Sequence, residues 1–266
     1  MIKAYHRPDS LNDALALLSR SDPLTLPMGG GTVISRLRKP DFEVVDLQRL
    51  GLNTITQEGQ LLVIGATATL QQLLDYADLP EALGASLGES LRHETASNLR
   101  QTSTVAGALV SCDGRSPFVT ALLALDPRLV WSPEDSHQDQ PLGDYLPLRQ
   151  PLERGRLILS VRVPLNTRLR FMMAARTPMD RPIVCAAVAT WPSGRTRVTL
   201  GGFGPAPILA MDGPEAVGAA IAAREAYRHA GDEWASAAYR MDVAGTLVGR
   251  LAAAQTTEQA ANQAQG

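Results

Sequence analysis

The chain has 266 residues, of which 45% are hydrophobic and 20% are charged, so it is long and apolar enough to bury a sizeable core. A formal net charge of −2 leaves no basic surplus to attract nucleic acid or an anionic membrane. Cys112 and Cys185 are far apart and lack CxxC spacing, so by themselves they form neither a disulfide framework nor a metal site. The first residues lack the apolar core of a signal peptide, and no run of about 18 apolar residues occurs. The sequence therefore predicts a cytoplasmic protein without a membrane span.

The first 52 residues are predicted to follow a β-α-β order. Ser10 or Asp9 can cap a helix that places Leu11, Leu15 and Leu18 on one face. The apolar patterns predict that helix over 11–18, a strand over 24–27, a short helix over 34–38 and a strand over 43–47.

Three consecutive glycines, Gly29, Gly30 and Gly31, follow the predicted strand. Such a backbone can take positive φ values and turn successive N–H groups toward one phosphate or pyrophosphate. The triplet is not a Walker loop, because no Gly-Lys-Ser/Thr follows, and it lacks the G-x-G-x-x-G spacing of a dinucleotide fingerprint. A plain glycine-rich turn between two strands is the alternative interpretation.

The middle of the chain is predicted to form a hairpin over 53–66, helices over 70–74, 79–91 and 118–125, and strands over 128–131 and 157–163. Between them, residues 94–109 are dense in small and hydroxyl side chains. This stretch is too polar for a core and carries too little charge for a solvated face. Small residues let the backbone approach a ligand, so a second binding loop is expected here.

Residues 166–168 are a candidate boundary. Beyond it the patterns predict three antiparallel strands, over 171–176, 183–190 and 197–203, then helices over 214–224 and 238–253. The polar residues after Gln255 are expected to fray. An order of strands followed by helices favours an α+β domain.

Four landmarks in this order resemble the flavoprotein (medium) subunit of molybdenum hydroxylases, the family of xanthine dehydrogenase and aerobic carbon monoxide dehydrogenase. They are the opening residues 7–11 (RPDSL), the loop 28–32 (MGGGT), the loop 98–109 (NLRQTSTVAGAL) and the C-terminal segments 236–240 (SAAYR) and 247–250 (LVGR). Each motif is weak by itself, whereas the ordered set spans nearly the whole chain.

The resemblance implies an α+β fold: a two-part FAD-binding domain of the PCMH/vanillyl-alcohol-oxidase type, followed by a small C-terminal domain of antiparallel sheet plus helices. The implied boundaries are 1–165 for the FAD-binding domain, with subdomains of about 1–52 and 53–165. The C-terminal domain would span 168–255, and a frayed tail would span 256–266.

The resemblance also implies which residues bind FAD. They are Pro27, Met28, Gly29, Gly30, Gly31, Thr32, Val33, Ile34, Thr104, Ala106, Gly107, Ala108, Ser111, Asp113, Leu157 and Leu159. Asp113 could instead cap an Asp-Gly turn with Gly114. No catalytic acid or base and no metal ligand is assigned.

Several positions depart from the family's usual pattern. Val33 stands where Asp or Asn is frequent, and Ala108 replaces a polar residue of the second loop. Pro117 replaces an acidic residue that binds a ribose hydroxyl on the flavin side, and Met173 replaces a lysine. Each change removes a polar contact and keeps the loop shape, so backbone N–H groups are expected to hold the pyrophosphate.

The implied function is that of an FAD-carrying electron-transfer subunit of a multi-subunit molybdenum-containing dehydrogenase. Its implied partners are a large molybdopterin subunit, a small subunit with [2Fe–2S] clusters, and an external acceptor such as NAD or a quinone. Molybdopterin and the clusters would belong to the partners only. A degenerate scaffold subunit with little flavin is the alternative, and a nucleotide-binding protein unrelated to redox chemistry is a third hypothesis.

Overall fold

The computed structural model describes residues 1–36, 41–133, 139–150 and 154–263. In chain order the strands and helices are β1 (Ile2–His6), α1 (Leu11–Leu18), β2 (Thr25–Met28), β3 (Phe42–Asp46), β4 (Ile55–Glu58), β5 (Leu61–Gly65), α2 (Leu70–Leu74), α3 (Glu81–Glu94), α4 (Ser97–Arg100), α5 (Val105–Ser111), α6 (Pro117–Ala124), β6 (Arg128–Ser132), β7 (Asp139–Pro141), α7 (Leu142–Leu148), β8 (Leu157–Pro164), β9 (Arg168–Ala174), β10 (Val184–Thr190), β11 (Thr196–Gly201), β12 (Ile208–Gly213), α8 (Ala219–Ala226) and α9 (Ala237–Gln263).

These elements form two compact units, and each unit is assembled from three separate stretches of chain. The first unit contains residues 1–77, 95–111 and 127–164, and the second contains 78–94, 112–126 and the chain from 165 onward. The two compact units therefore do not correspond to two continuous parts of the sequence. The domain boundaries at 165 and 168 stay predictions.

The first unit begins with a small parallel sheet in the order β1-β3-β2. Helix α1 starts where the Ser10 hydroxyl accepts a hydrogen bond from the Asp13 N–H, as the cap pattern predicts. Its Ala14 and Leu18 are buried in one apolar cluster with Val45 of β3. The patterns missed β1, an edge strand with alternately exposed residues. The predicted helix over 34–38 is a short 3-10 helix, Ile34–Arg36, and residues 37 and 38 lie outside the described residues.

The second sheet of this unit is antiparallel, in the order β4-β5-β8-β6-β7. The predicted hairpin over 53–66 is confirmed, since β4 and β5 pair from Ile55 opposite Ile64 to Glu58 opposite Leu61. Helix α2 begins with a capping box, in which Thr69 and Gln72 each bond the other's backbone N–H through their side chains. Four elements were not predicted here: the short strand β7, helix α7, and helices α4 and α5, which form within the segment expected to be a binding loop.

The second unit is built on an antiparallel sheet in the order β12-β11-β10-β9. Every residue of β10 is buried, so both faces of this central strand are covered. Val184, Ala186 and Val188 pack in one cluster with residues of α8 and α9. Successive side chains of a strand point to opposite faces, so Cys185 points the other way, where its Sγ lies 3.5 Å from the Thr120 Oγ1 of α6.

Three C-terminal strands were predicted, and the sheet has a fourth, β12, which pairs with β11. It was missed because it is an exposed edge strand with little apolar alternation. Helix α8 begins at Ala219 rather than Pro214, since the chain turns through Gly218 with φ +79°. Helix α9 continues to Gln263, beyond the predicted end at residue 253. The sequence of its last turns is rich in Ala and Gln, which have high helix propensity. Residues 264–266 of the predicted tail lie outside the described residues.

Within the described part of the chain, helices with the length and apolarity needed to span a bilayer are absent.

Candidate functional site

The glycine triplet forms a loop that leaves the carboxyl end of β2 in the parallel sheet. Gly31 has φ +70°, a left-handed conformation that side chains disfavour. Among the described residues, nothing accepts a hydrogen bond from the N–H groups of Gly29, Gly30, Gly31 or Thr32. A run of backbone donors without internal partners is suited to an anion such as a pyrophosphate. The loop therefore has the geometry that the sequence analysis expects of a phosphate cradle.

The same glycines let the loop touch the second predicted binding segment directly. A Cβ on Gly30 would lie 1.6 Å from the carbonyl oxygen of Thr102, a distance that no side chain tolerates. A Cβ on Gly29 would lie 2.7 Å from Oγ1 of Thr104. Contact with the second segment therefore excludes a side chain at Gly30, whereas a side chain at Gly29 would have to displace that of Thr104.

The second loop differs from the first in its backbone hydrogen bonding. The N–H groups of Val105 and Ala106 donate to the carbonyls of Ala68 and Ala66, at 2.9 and 3.2 Å. The Gly107 N–H donates to Oγ1 of Thr104 at 3.1 Å, and the Ala108 N–H donates to the Thr104 carbonyl at 2.9 Å. These four donors are engaged within the protein. The expectation that backbone N–H groups hold a pyrophosphate therefore fits the first loop better than the second.

A polar cavity of about 480 Å³ lies against both loops. The described residues of its lining carry no charged side chain; they are Gly29, Gly30, Gln48, Asn53, Thr67, Thr69, Gln72, Gln101, Thr102 and Thr104. Thr67 is only 7% exposed, and its buried Oγ1 has no hydrogen-bond partner among the residues that the structure describes. Gln48, Asn53, Thr67 and Gln101 are not predictable as site residues from the sequence, because lone amides and hydroxyls in predicted turns form no recognisable motif. Another cavity, of about 560 Å³, runs along β7 and α7 and includes none of the predicted site residues.

Of the other predicted site residues near the glycine loop, two pack against the core of the first unit and one is exposed. Met28 and Ile34 pack against the buried cluster of Leu26, Phe42 and Val44, and Pro27 lies within β2. Val33 is 44% exposed.

Predicted residues further along the chain are also engaged within the first unit. The Ser111 hydroxyl donates to the Gly107 carbonyl at 2.6 Å, within α5. Leu157 is buried in the core of the unit, and Leu159 packs against the same cluster. Flavin contacts from these residues stay predictions.

Asp113 belongs to the second unit, where its carboxylate forms a bidentate ion pair with Arg181. Its Oδ1 also accepts the Arg115 N–H at 2.8 Å, which is the turn-capping role weighed as the alternative. Burial alone would raise the pKa of Asp113, but the hydrogen bonds from Arg181 and the Arg115 N–H outweigh it and hold the pKa below its usual range. The structure thus gives this carboxylate internal partners.

Residues 1–166 match the family described as the FAD binding domain in molybdopterin dehydrogenase. This match covers more than half of the protein, so the chain belongs to that family. Its cofactor is FAD, and the chain is an FAD-binding component of the molybdopterin dehydrogenase class of oxidoreductases, as the resemblance implies.

Individual relatives agree with this assignment. The carbon monoxide dehydrogenase medium chain of Afipia carboxidovorans is 29% identical over 171 residues, which are 60% of this chain and 58% of that one. The Escherichia coli K12 protein YgfM, whose name describes it as uncharacterized, is 29% identical over 205 residues, 76% of this chain and 75% of YgfM.

Solved structures share the fold over nearly the whole chain. Reconstituted carbon monoxide dehydrogenase from Oligotropha carboxidovorans matches with a TM-score of 0.77 and 25% identity, covering 93% of this chain and 95% of the other. Quinoline 2-oxidoreductase from Pseudomonas putida 86 matches with a TM-score of 0.76 and 22% identity, covering 93% and 94%. The α+β fold with an antiparallel C-terminal sheet is confirmed.

Proposed function

We propose that this chain is the electron-transfer flavoprotein subunit of a molybdenum-containing dehydrogenase complex. It would receive electrons from the [2Fe–2S] clusters of a small partner subunit. A large molybdopterin subunit would oxidise the substrate, and an external acceptor such as NAD or a quinone would take the electrons away. Bound FAD supplies the redox chemistry, and the protein binds and orients it.

The observation that carries the proposal is the loop after β2. Four successive N–H groups, from Gly29 to Thr32, have no acceptor among the described residues, and the loop borders a polar cavity. Backbone donors satisfy a pyrophosphate without any particular side chain, so the loss of polar groups at Val33 and Ala108 leaves this interaction intact. The residues present therefore fit the pyrophosphate of FAD.

Within this proposal the chain's own residues have distinct tasks. The loop from Pro27 to Ile34 would hold the pyrophosphate through its N–H groups. The Thr104 side chain, between Gly29 and Gly107, would fix the spacing of the two loops while Ala106 and Ala108 close the other side. Ser111, Asp113, Leu157 and Leu159 remain proposed contacts of the flavin or ribitol.

A visible absorption spectrum of the purified full-length chain tests the proposal. We expect flavin bands that stay with the protein through desalting after FAD is added. Gly30→Ala should lose those bands, because its methyl group would overlap the Thr102 carbonyl. Gly84→Ala is the matched control, since a Cβ there would meet the Leu79 Cβ and carbonyl oxygen at ordinary contact distances of 3.6 and 3.9 Å.

Two further measurements distinguish a loss of FAD binding from a loss of folding, and the flavoprotein role from the scaffold alternative. Thermal unfolding reports whether Gly30→Ala still folds; if it does not, Gly29→Ala is the milder variant, because it displaces only the Thr104 side chain. A protein that stays colourless in excess FAD, yet co-purifies with its partner subunits, would refute the electron-transfer role in favour of the scaffold alternative.

A further inference from the structure

An exposed indole on the second unit carries two guanidinium groups. Trp234 is 42% exposed, and Oδ1 of Asp232 fixes its turn by accepting the N–H groups of Trp234 and Ala235 at 2.8 and 3.1 Å. The guanidinium carbon of Arg115 lies 4.5 Å from the ring centroid, and that of Arg176 lies 5.3 Å from it. The face of an indole attracts cations, so the ring holds both side chains in place.

Two carboxylates close to Arg115 are already paired with other arginines. Asp113 forms its ion pair with Arg181, and Asp232 pairs with the buried Arg240. Arg115 itself donates to two backbone carbonyls of the β9–β10 loop, at 2.9 and 3.0 Å. Burial, followed by the charge of Arg181, lowers the pKa of Arg115. The positive charge on the ring is therefore not fully compensated within the unit.

Arg176 is exposed and forms no hydrogen bond or ion pair with the residues that the structure describes. A second stacked arginine of the same unit provides the comparison. Arg195 lies 4.8 Å from the centroid of Trp191, but its Nη2 lies 2.9 Å from Oδ2 of Asp126 and 2.7 Å from Oδ2 of Asp212. The arginine on Trp191 thus has internal carboxylates, whereas Arg176 keeps its fork of donors for an external acceptor.

Exposed apolar surface accompanies these charges. Met179 lies three residues beyond Arg176 in the β9–β10 loop and is 89% exposed. Trp, Met and Arg are enriched at protein interfaces, where exposed apolar area and paired charges are covered together. A free anion would pair with Arg176 and leave Trp234 and Met179 in water, whereas a polypeptide would cover all three.

We propose that the Trp234 surface, made of Arg115, Arg176, Met179 and Trp234, binds an acidic segment of a partner protein. A carboxylate of that segment would accept two hydrogen bonds from the Arg176 guanidinium, and a neighbouring apolar side chain would cover the indole. Charge complementarity selects this occupant, since neither guanidinium on the ring has a carboxylate partner among the described residues. The proposal does not rest on the proposed function, because no flavin contact enters it.

The first experiment selects binders from a displayed library of random peptides on the full-length chain. We expect the enriched peptides to carry Asp or Glu beside an apolar residue, and we expect the enrichment to disappear on Arg176→Gln. Enrichment of peptides without an acidic residue, or no enrichment at all, would overturn the proposal.

The second experiment measures the most enriched peptide by calorimetry. Arg176→Gln should bind it about tenfold more weakly, because a charge-assisted hydrogen bond is lost. Arg176→Lys should fall between the two, since it keeps the charge without the planar fork. The matched controls are Trp191→Ala, which removes the other stacked indole, and Arg250→Gln, at an exposed arginine of α9. Both should bind like the original protein.

A double-mutant cycle separates recognition from a structural role. Replacing the peptide's acidic residue by its amide should weaken binding to the original protein and have little further effect on Arg176→Gln. Thermal unfolding checks that Trp234→Ala folds before its expected loss of peptide binding is measured. If it does not fold, the comparison of Arg176→Gln with Arg250→Gln decides.

Other occupants of the surface would each overturn the proposal. One is a dimer of the chain, measured by light scattering, that Arg176→Gln dissociates. Another is inorganic phosphate binding at Arg176 as tightly as the selected peptide does. Peptide binding that is unchanged in Arg176→Gln would show that the Trp234 surface only braces the β9–β10 loop.

Discussion

Arg240 lies wholly inside the second unit, with none of its side chain exposed. Its guanidinium forms an ion pair with Asp232 and stacks on the Phe203 ring at 5.2 Å. It also donates to the carbonyl oxygens of Ile183, Ala230 and Ala235, at 3.2, 2.7 and 3.0 Å. The planar guanidinium of this α9 residue thereby links three separate backbone carbonyl groups.

We expect Arg240→Lys to destabilise the protein by about 3–5 kcal/mol, because an ammonium cannot reproduce the planar set of donors and its charge stays buried. Urea unfolding measures the change. Arg228→Lys is the control, since Arg228 is exposed and its ion pair with Glu225 joins neighbouring residues. Equal stabilities of the two variants would contradict the role of the buried guanidinium.

Glu94, the last residue of α3, supplies a carboxylate to the first turn of α6. Its Oε2 accepts hydrogen bonds from the Ser116 hydroxyl at 2.8 Å and the Phe118 N–H at 3.0 Å. Loss of hydration raises the pKa of Glu94 above its usual value despite these bonds. The pKa is thus higher in the folded than in the unfolded protein. Any stability that this group contributes is present at acid pH and is lost as the pH rises through the folded pKa.

Glu94→Gln should keep an oxygen acceptor and remove the charge. We expect its melting temperature to match that of the original protein at acid pH and to exceed it at neutral pH. Glu89→Gln, an exposed position on the same helix, should give no such divergence. A lower melting temperature of Glu94→Gln at neutral pH would show that the ionised form is favourable.

At the scale of elements, strands β11 and β12 are joined by an ion pair as well as by their backbone hydrogen bonds. Arg197, 4% exposed on β11, lies opposite Asp212 of β12, and their Nη1 and Oδ2 atoms are 2.7 Å apart. Asp126 pairs with the same guanidinium at 3.1 Å. A hydrogen bond from Arg195, aided by Arg197, holds the pKa of Asp212 below its usual value. Its stabilisation is therefore present above the pKa of the unfolded chain and lost as the pH falls through the folded pKa.

Asp212→Asn should cost up to about 3 kcal/mol at neutral pH, because Arg197 keeps Asp126 but loses its closer partner. The loss should shrink in acid, where Asp212 itself becomes protonated. Urea unfolding at several pH values measures both. The control is Asp180→Asn in the exposed β9–β10 loop. A loss that is constant with pH would rule out the charge as its cause.

The sequence predicts most elements because their signals are local. The Ser10 cap, the β4–β5 hairpin and the Gly29–Gly31 loop are each readable within a few residues. The packing of α3 and α6 on the C-terminal sheet is not local, since these helices are separated from β10 by about 60 residues or more. The nearly continuous apolar run of β10, Val184 to Ala189, was the available signal, because such runs indicate a strand covered on both faces.

The same distinction between local and non-local signals applies to the candidate site. The glycine loop was predictable, because three consecutive glycines have a direct conformational meaning. The bonds from the Val105 and Ala106 N–H groups to Ala68 and Ala66 were not predictable, because they depend on how the chain after β5 meets the start of α5. The bonds to Thr104, by contrast, are local to the start of α5. Thr67 escaped notice because burial of a single hydroxyl is a property of the folded unit.

At the scale of the whole molecule, chemical modification of Cys185 measures how readily the core of the second unit opens. Its side chain is fully buried, and burial raises the pKa of the thiol to about 12. We expect iodoacetamide at mildly alkaline pH to leave Cys185 unmodified in the folded protein and to modify it in urea, as measured by peptide mass spectrometry. Equal labelling rates in both conditions would show that this core opens readily.

The close approach of Gly30 to the Thr102 carbonyl has a consequence for the evolution of this protein. Any Cβ at position 30 is forbidden by the protein's own second loop, whatever ligand is or is not bound. A lineage that abandoned flavin would therefore keep Gly30 under selection for folding alone. Gly30 would then persist without a cofactor, whereas the Thr67 hydroxyl, which has no hydrogen-bond partner among the described residues, would not be retained for the sake of the fold. A glycine at position 30 of a relative is therefore no evidence by itself that the relative binds flavin.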